Sequence, residues 1–151
     1  MSGMVFLDLS KAFDTIDHAL MLIKLKDLGF SDAAVNWFRA YLSNRTQSVC
    51  VNGVFSDPQP IAFGVPQGSL LGPLLFIAYI NDLPSVVNNC EIQLYADDTL
   101  LFYSSNSISD IEHHLTEDLG SIVSWLESNF LFLNYSKTKI MLLARTNALA
   151  G

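Results

Sequence analysis

What this sequence has little of narrows its function before any motif is considered. Cations are scarce: eight Lys and Arg stand against fifteen Asp and Glu, for a net charge of -7. The chain therefore lacks the dense basic footprint with which proteins usually hold nucleic-acid phosphates. Cysteines number two, Cys50 and Cys90, too few for a disulfide framework. The N-terminus has no basic start, apolar run and small-residue cleavage site of a secretory signal, so an intracellular chain with reduced thiols is expected. Apolar runs at 61–65 and 70–80 are broken by Gly, Pro, Gln or Asn before the roughly 18 to 20 residues that a bilayer span needs. No membrane association is expected. Internal repeats, low-complexity tracts and a Lys/Arg cluster of the nuclear-import kind are also missing.

What is present is apolar and varied. Of 151 residues 50% are hydrophobic and only 15% charged, enough to bury one sizeable core in a compact domain or a large piece of one. Residues 4–7 (MVFL) predict a buried strand that delivers Asp8 at its end. Residues 18–28, stopped by Gly29, and 32–42, capped by Ser31, predict a helical hairpin. Residues 47–55 alternate around Asn52-Gly53, the pair favoured in a two-residue β-hairpin turn. After the glycine-rich stretch 64–69, the very apolar residues 70–83 predict a buried helix. Residues 91–105 read as strand, Asp-Asp turn and strand, 109–130 as an amphipathic helix, and 139–143 as a last strand. The fold class expected is α+β, with helices covering one face of an antiparallel sheet.

Asp97 and Asp98 are hard to explain by folding alone. One Asp suits a turn, where it can bond its own backbone. Two adjacent ones within apolar sequence repel each other, and a bound cation offsets that repulsion. Asp8, ending another apolar strand, is the natural third member. Three carboxylates from two strand ends suit Mg²⁺, a hard cation that keeps waters and substrate phosphates as its remaining ligands, with Mn²⁺ as a substitute. Two such ions would clamp an in-line phosphoryl transfer.

Four segments carry a resemblance that covers nearly the whole chain: FLDLSKAFD (6–14), GVPQGSLLGPLLF (64–76), YADD (95–98) and LNYSKTK (133–139). Together with WFRAYLSNRTQ (37–47) and YINDLP (79–84), they resemble the reverse transcriptase domain of non-long-terminal-repeat (LINE-type) retrotransposons. The resemblance implies a polymerase palm over 1–146 with a short tail at 147–151. It implies that Asp8 and Asp97 hold both catalytic metals, that the Leu9 carbonyl helps the nucleotide-side ion, and that Asp98 completes the cluster. Phe13 would lie under the sugar of the incoming nucleotide and leave a 2′-hydroxyl no room. Gly64, Gln67, Gly68 and Ser69 would pack on the incoming nucleotide and template base, Tyr95 beside the primer end, and Lys137 would donate a proton to the leaving pyrophosphate. Without the resemblance, Phe13 reads as a core residue, Tyr95 as a strand aromatic, Lys137 as a solvated lysine and 64–69 as a turn into a helix. Asp14 and Asp17 read as turn and helix-cap carboxylates. Arg39 and Arg45 suit either nucleic-acid backbone or a plain helix surface. His18, His113 and His114 show no spacing partner for a metal site and read as surface or capping residues.

The function expected is RNA-directed DNA polymerisation, adding dNTPs to a primer 3′-hydroxyl on an RNA template, in the cytoplasm and nucleus as for a retroelement polymerase. The fingers and thumb of such an enzyme are expected to be largely missing, which accounts for the acidic balance and makes those segments necessary partners. Two other readings remain: an inactive element remnant with a folding or interaction role, and a small Mg²⁺ phosphohydrolase.

Overall fold

The computed structural model describes residues 1–144, so the expected tail at 147–151 lies outside the described residues. The chain divides into two compact units, one built from 1–12 and 80 onward, the other from 13–79.

The first unit is a four-stranded antiparallel sheet with one helix on it. Its strands are β1 (Ser2–Leu7), β6 (Glu91–Tyr95), β7 (Asp98–Ser104) and β8 (Lys139–Leu143), in the order β6-β7-β1-β8. β1 pairs with β7 from Ser2↔Ser104 to Leu7↔Thr99 and with β8 from Ser2↔Leu143 to Phe6↔Lys139. The period of two that the sequence shows in β1 has a physical result: Gly3, Val5 and Leu7 are buried while Phe6 is exposed. On that buried face lies α4 (Ile108–Ser128), whose Ile111, Leu115, Ile122 and Leu126 are buried. A Cβ at Gly3 would run into Ile111 and Leu115, so this glycine lets α4 approach β1 closely. α4 starts where Ser107 Oγ accepts the Asp110 N–H, slightly earlier than the periodicity predicts. It ends before Phe130, which takes the left-handed conformation at φ 55°.

The second unit holds the expected helical hairpin, α1 (His18–Asp27) and α2 (Asp32–Leu42). Asp17 caps α1 by accepting the Leu20 N–H, and Ser31 caps α2 by accepting that of Ala34. Met21, Leu22, Leu25, Val35 and Leu42 are buried. The expected 47–55 hairpin is shorter than predicted: β3 (Cys50–Val51) pairs with β4 (Val54–Phe55), whereas Gln47 belongs to β2 (Thr46–Gln47) and pairs with β5 (Gln59–Pro60). The apolar run after the glycine-rich loop forms α3 (Leu71–Ile80), and the separate 3-10 turn that follows (Leu83–Val86) belongs to the first unit. The run is not buried all round. Leu75, Phe76 and Tyr79 are buried, but Leu70, Leu74 and Ile77 are exposed, so composition without a polar face conceals which side is the core.

Candidate active site

In the first unit the sheet brings the acidic residues to one end. Asp8 directly follows β1, Asp98 opens β7, and the pair Leu7↔Thr99 puts these two aspartates one step beyond the last paired residues of neighbouring strands. Asp97 belongs to the turn that joins β6 to β7. That turn is not Asp-Asp: Tyr95 pairs with Asp98, so its two central residues are Ala96 and Asp97, with Ala96 at φ 52°. Tyr95, at the last position of β6, is 81% exposed.

Asp8, Asp97 and Asp98 are oxygen donors without an ion pair or side-chain hydrogen bond of their own among the described residues. Other carboxylates here are committed: Asp17 to a helix cap, Asp32 to Lys26, Asp14 to Gln67 and Asp118 to backbone N–H groups. Leu9 faces Leu133 across a single antiparallel bridge in which Asn134 N–H donates to the Asp8 carbonyl and Ser10 N–H to that of Phe132. Leu9's own carbonyl is outside those bonds. Carboxylates without other partners at neighbouring strand ends are a donor set suited to hard divalent cations. Lys137 is an exposed residue of the turn before β8, and that turn is tied to Asp8 through Asn134 and, at 3.5 Å, through Thr138 Oγ1.

Among the described residues, three ligand-type side chains whose atoms all come within 4.8 Å of one another are found elsewhere, on α4, at His113, His114 and Glu117, and the side chains of Asp8, Asp97 and Asp98 do not meet that closely. This corrects the expectation that the histidines have no spacing partner: Glu117 follows His113 by one helical turn, a legible i,i+4 pair.

Sequence reasoning also misses Asp118. Although α4 is amphipathic, it turns this carboxylate inward, fully buried, to accept the backbone N–H groups of Asn88 (3.1 Å), Asn89 (2.8 Å) and Cys90 (2.7 Å). Burial pushes its pKa up, but the N–H groups of Cys90, Asn89 and Asn88, with the Cys90 thiol, outweigh burial and hold it below the ordinary carboxylate value. The Cys90 thiol is pushed up to about 12 by burial and by Asp118, which keeps it protonated. Asp118 thereby fixes the chain where it enters β6, the strand that leads to Asp97.

In the second unit, Phe13 packs against Phe76 at a centroid distance of 4.8 Å and also lines a hollow of about 430 Å³ with Pro66, Gln67, Gly68, Ser69 and Pro73. The loop over this hollow is tethered at several points. Gly64 has φ 82°, and a Cβ there would come within 2.9 Å of the Asp14 Cα and carbonyl oxygen, so only glycine allows this backbone approach. Val65 N–H donates to the Phe13 carbonyl, and His18 Nε2 lies 2.6 Å from the Gly64 carbonyl. Asp14 ends a 3-10 turn (Ala12–Asp14), consistent with its reading as a turn carboxylate, and its Oδ1 accepts the Gln67 side-chain amide at 2.7 Å, while Asp17 caps α1 as expected. Ser69 Oγ accepts the Leu71 N–H at the start of α3 and shares a 2.7 Å hydrogen bond with the Tyr41 hydroxyl.

No helix of the described residues is long and apolar enough to cross a membrane. Curated relatives from Drosophila melanogaster include a probable RNA-directed DNA polymerase from transposon BS, 35% identical over 89% of this chain, and the RNA-directed DNA polymerase from mobile element jockey, 36% identical over 87%. The matched region is 16% and 15% of those proteins, so the chain spans about a sixth of their length. Among solved structures, telomerase from Candida tropicalis with a TWJ fragment of telomeric RNA superposes with a TM-score of 0.70 at 13% identity, over 93% of this chain and 26% of that one. Telomerase from Candida albicans gives 0.68 at 16% identity, over 95% and 28%. The sheet with its acidic end is therefore a polymerase-palm fold. With residues 2–148 matching the family model for reverse transcriptase (RNA-dependent DNA polymerase), the chain belongs to that family.

Proposed function

We propose that this chain is the palm of an RNA-directed DNA polymerase that adds dNTPs to a primer 3′-hydroxyl opposite an RNA template. The observation that carries this reading is the uncommitted set Asp8, Asp97 and Asp98 at one end of adjacent strands, in a chain of the reverse transcriptase family. Reverse transcriptases generally use divalent metal ions, and the proposed ions are Mg²⁺, with Mn²⁺ able to replace it. Asp8 and Asp97 hold them, Leu9 adds its carbonyl and Asp98 completes the cluster. When bound, two such ions lower the pKa of the attacking hydroxyl and neutralise the leaving pyrophosphate.

The rest falls to the chain's own groups. Lys137, carried by the turn tied to Asp8, donates a proton to the pyrophosphate as it leaves. Tyr95 packs beside the primer end. Phe13 offers an apolar ring that leaves a 2′-hydroxyl no room, and Gly64, Gln67, Gly68 and Ser69 present backbone and polar groups to the nucleotide and template base. A phosphohydrolase needs neither the family match nor this loop, so it is not favoured.

Paramagnetic broadening by Mn²⁺ in the 151-residue chain should centre on Asp8, Asp97 and Asp98. Broadening spread evenly over the acidic residues, or centred on His113, would sink the metal assignment. In a complete polymerase carrying this palm, Asp97→Asn should abolish incorporation of both sugars. Phe13→Val should raise the ratio of ribo- to deoxynucleotide incorporation, because trimming the ring removes a clash without touching a metal ligand. An unchanged ratio in the folded variant would return Phe13 to a packing role against Phe76.

A further inference from the structure

The second unit carries an exposed aromatic face that the polymerase chemistry does not use. On α2, Trp37 stacks on Tyr41 one turn later, with ring planes 5° apart and centroids 5.7 Å apart. The Arg45 guanidinium lies over the Tyr41 ring at 4.7 Å, held by its Nε donating to the Tyr41 carbonyl at 2.7 Å. Phe38 meets the indole edge-on at 5.1 Å. Trp37 is 55% exposed, and its neighbours on the helix surface at i-4, i-3 and i+3 are Ala33, Ala34 and Ala40, which leave the indole standing clear. A ring held rigid from one side and open on the other is a stacking platform.

Charge selects its occupant. The chain as a whole is acidic, yet residues 33–56 contain Arg39 and Arg45 and no carboxylate. Arg39 is exposed and takes part in no ion pair among the described residues. An apolar protein surface would gain nothing from this local reversal of sign, whereas a phosphate backbone would. Because a ring face can reach only an unstacked base, the strand must be single. The platform is also connected: the Tyr41 hydroxyl bonds Ser69 in the loop that lines the Phe13 hollow.

We infer that Trp37, Tyr41 and Arg45 form a binding platform for single-stranded RNA, with a base stacked on Trp37 and phosphate drawn by Arg45. Its identity as the template strand rests on the polymerase reading; the platform itself does not. A base stacked on Trp37 restrains the strand next to a loop that Tyr41 ties down, so the same contacts order both.

The test titrates the 151-residue chain at low salt with a short oligoriboadenylate, reading indole fluorescence and the anisotropy of labelled RNA. Trp125 is buried, so quenching reports Trp37. Binding should quench the indole, Trp37→Ala should weaken binding roughly tenfold or more, and Trp37→Phe should restore most of it. Trp37→Leu, which keeps apolar bulk without a π face, gives the same answer should the alanine variant unfold. Arg45→Ala should lower the salt slope by about one charge. Equal affinity of wild type and Trp37→Leu, equal competition by duplex RNA, or no binding at low salt would each overturn the platform. Mn²⁺ broadening and oligonucleotide binding are read separately on the same wild-type chain, so a failed metal site and a failed platform give different results.

Discussion

Two hairpins in this chain each reverse over two residues, with different residues and a different pattern of positive φ. Between β3 and β4 the turn is Asn52-Gly53, at φ 52° and 82°, the residue types that take left-handed conformations most readily. Between β6 and β7 it is Ala96-Asp97, with Ala96 also at φ 52°, a conformation that costs an L-residue without a polar side chain about 1 to 2 kcal/mol. The first hairpin is short, with Val51, Val54 and Phe55 exposed. The second is built into the sheet and held at its root by Asp118. A favourable turn sequence thus stands in the short, exposed hairpin, and an unfavourable one in the hairpin whose turn carries Asp97. Surrounding structure over-determines the second turn, the circumstance in which local backbone strain persists.

The largest effect expected from disturbing this contrast lies at the root of the second hairpin. Asp118→Ala removes the acceptor for three backbone N–H groups and should destabilise the fold by about 3 kcal/mol, read as a lower urea midpoint. Asp118 also makes that stability pH-dependent. Its folded pKa is held below the unfolded value, so its contribution is complete above about pH 4 and is lost as pH falls through the folded pKa. Asp118→Asn should flatten the acid limb of the stability profile, and an unaltered limb would mean that other carboxylates dominate it.

Smaller effects separate the turns themselves. Gly53→Ala should cost about 1 kcal/mol, because a methyl group is placed at positive φ even though nothing lies within 4 Å to clash with it. Ala96→Gly should change stability in the opposite sense, by about 0.5 to 1 kcal/mol, since relief at Ala96 exceeds the entropy that glycine adds to the unfolded chain. If Ala96→Gly destabilises instead, Ala96 is not strained and the contrast between the hairpins fails.

Legibility in the sequence followed how local the physics was. α2 could be read to the residue, because Ser31 caps it and Val35 and Leu42 fall on one face. Asn52-Gly53 announces its own turn. By contrast, the Ala96-Asp97 turn could not be read, since alanine at positive φ contradicts its own preference and two aspartates look like turn residues. The exposure of Leu74 and Ile77 was concealed because α3 has no polar side. Of the candidate site, the aspartates were legible as charges out of place and the loop 64–69 by its glycines. Asp118 and Asp14 were not, because their partners lie 28 to 30 and 53 residues away and include backbone groups that carry no residue-specific signal.

β8 pairs with β1 along one side, and among the described residues no strand pairs with its other side. All five of its residues are exposed, Ile140 at 77%, and Lys139 is the one charge among them. Such an edge offers unpaired N–H and C=O groups together with apolar side chains, the combination that recruits a strand from another molecule. Self-association through β8 is therefore the expected response of the chain to rising concentration, read by light scattering. Low protein concentration, or a second charge placed at Ile140, will do more for its solubility than any gain in folding stability.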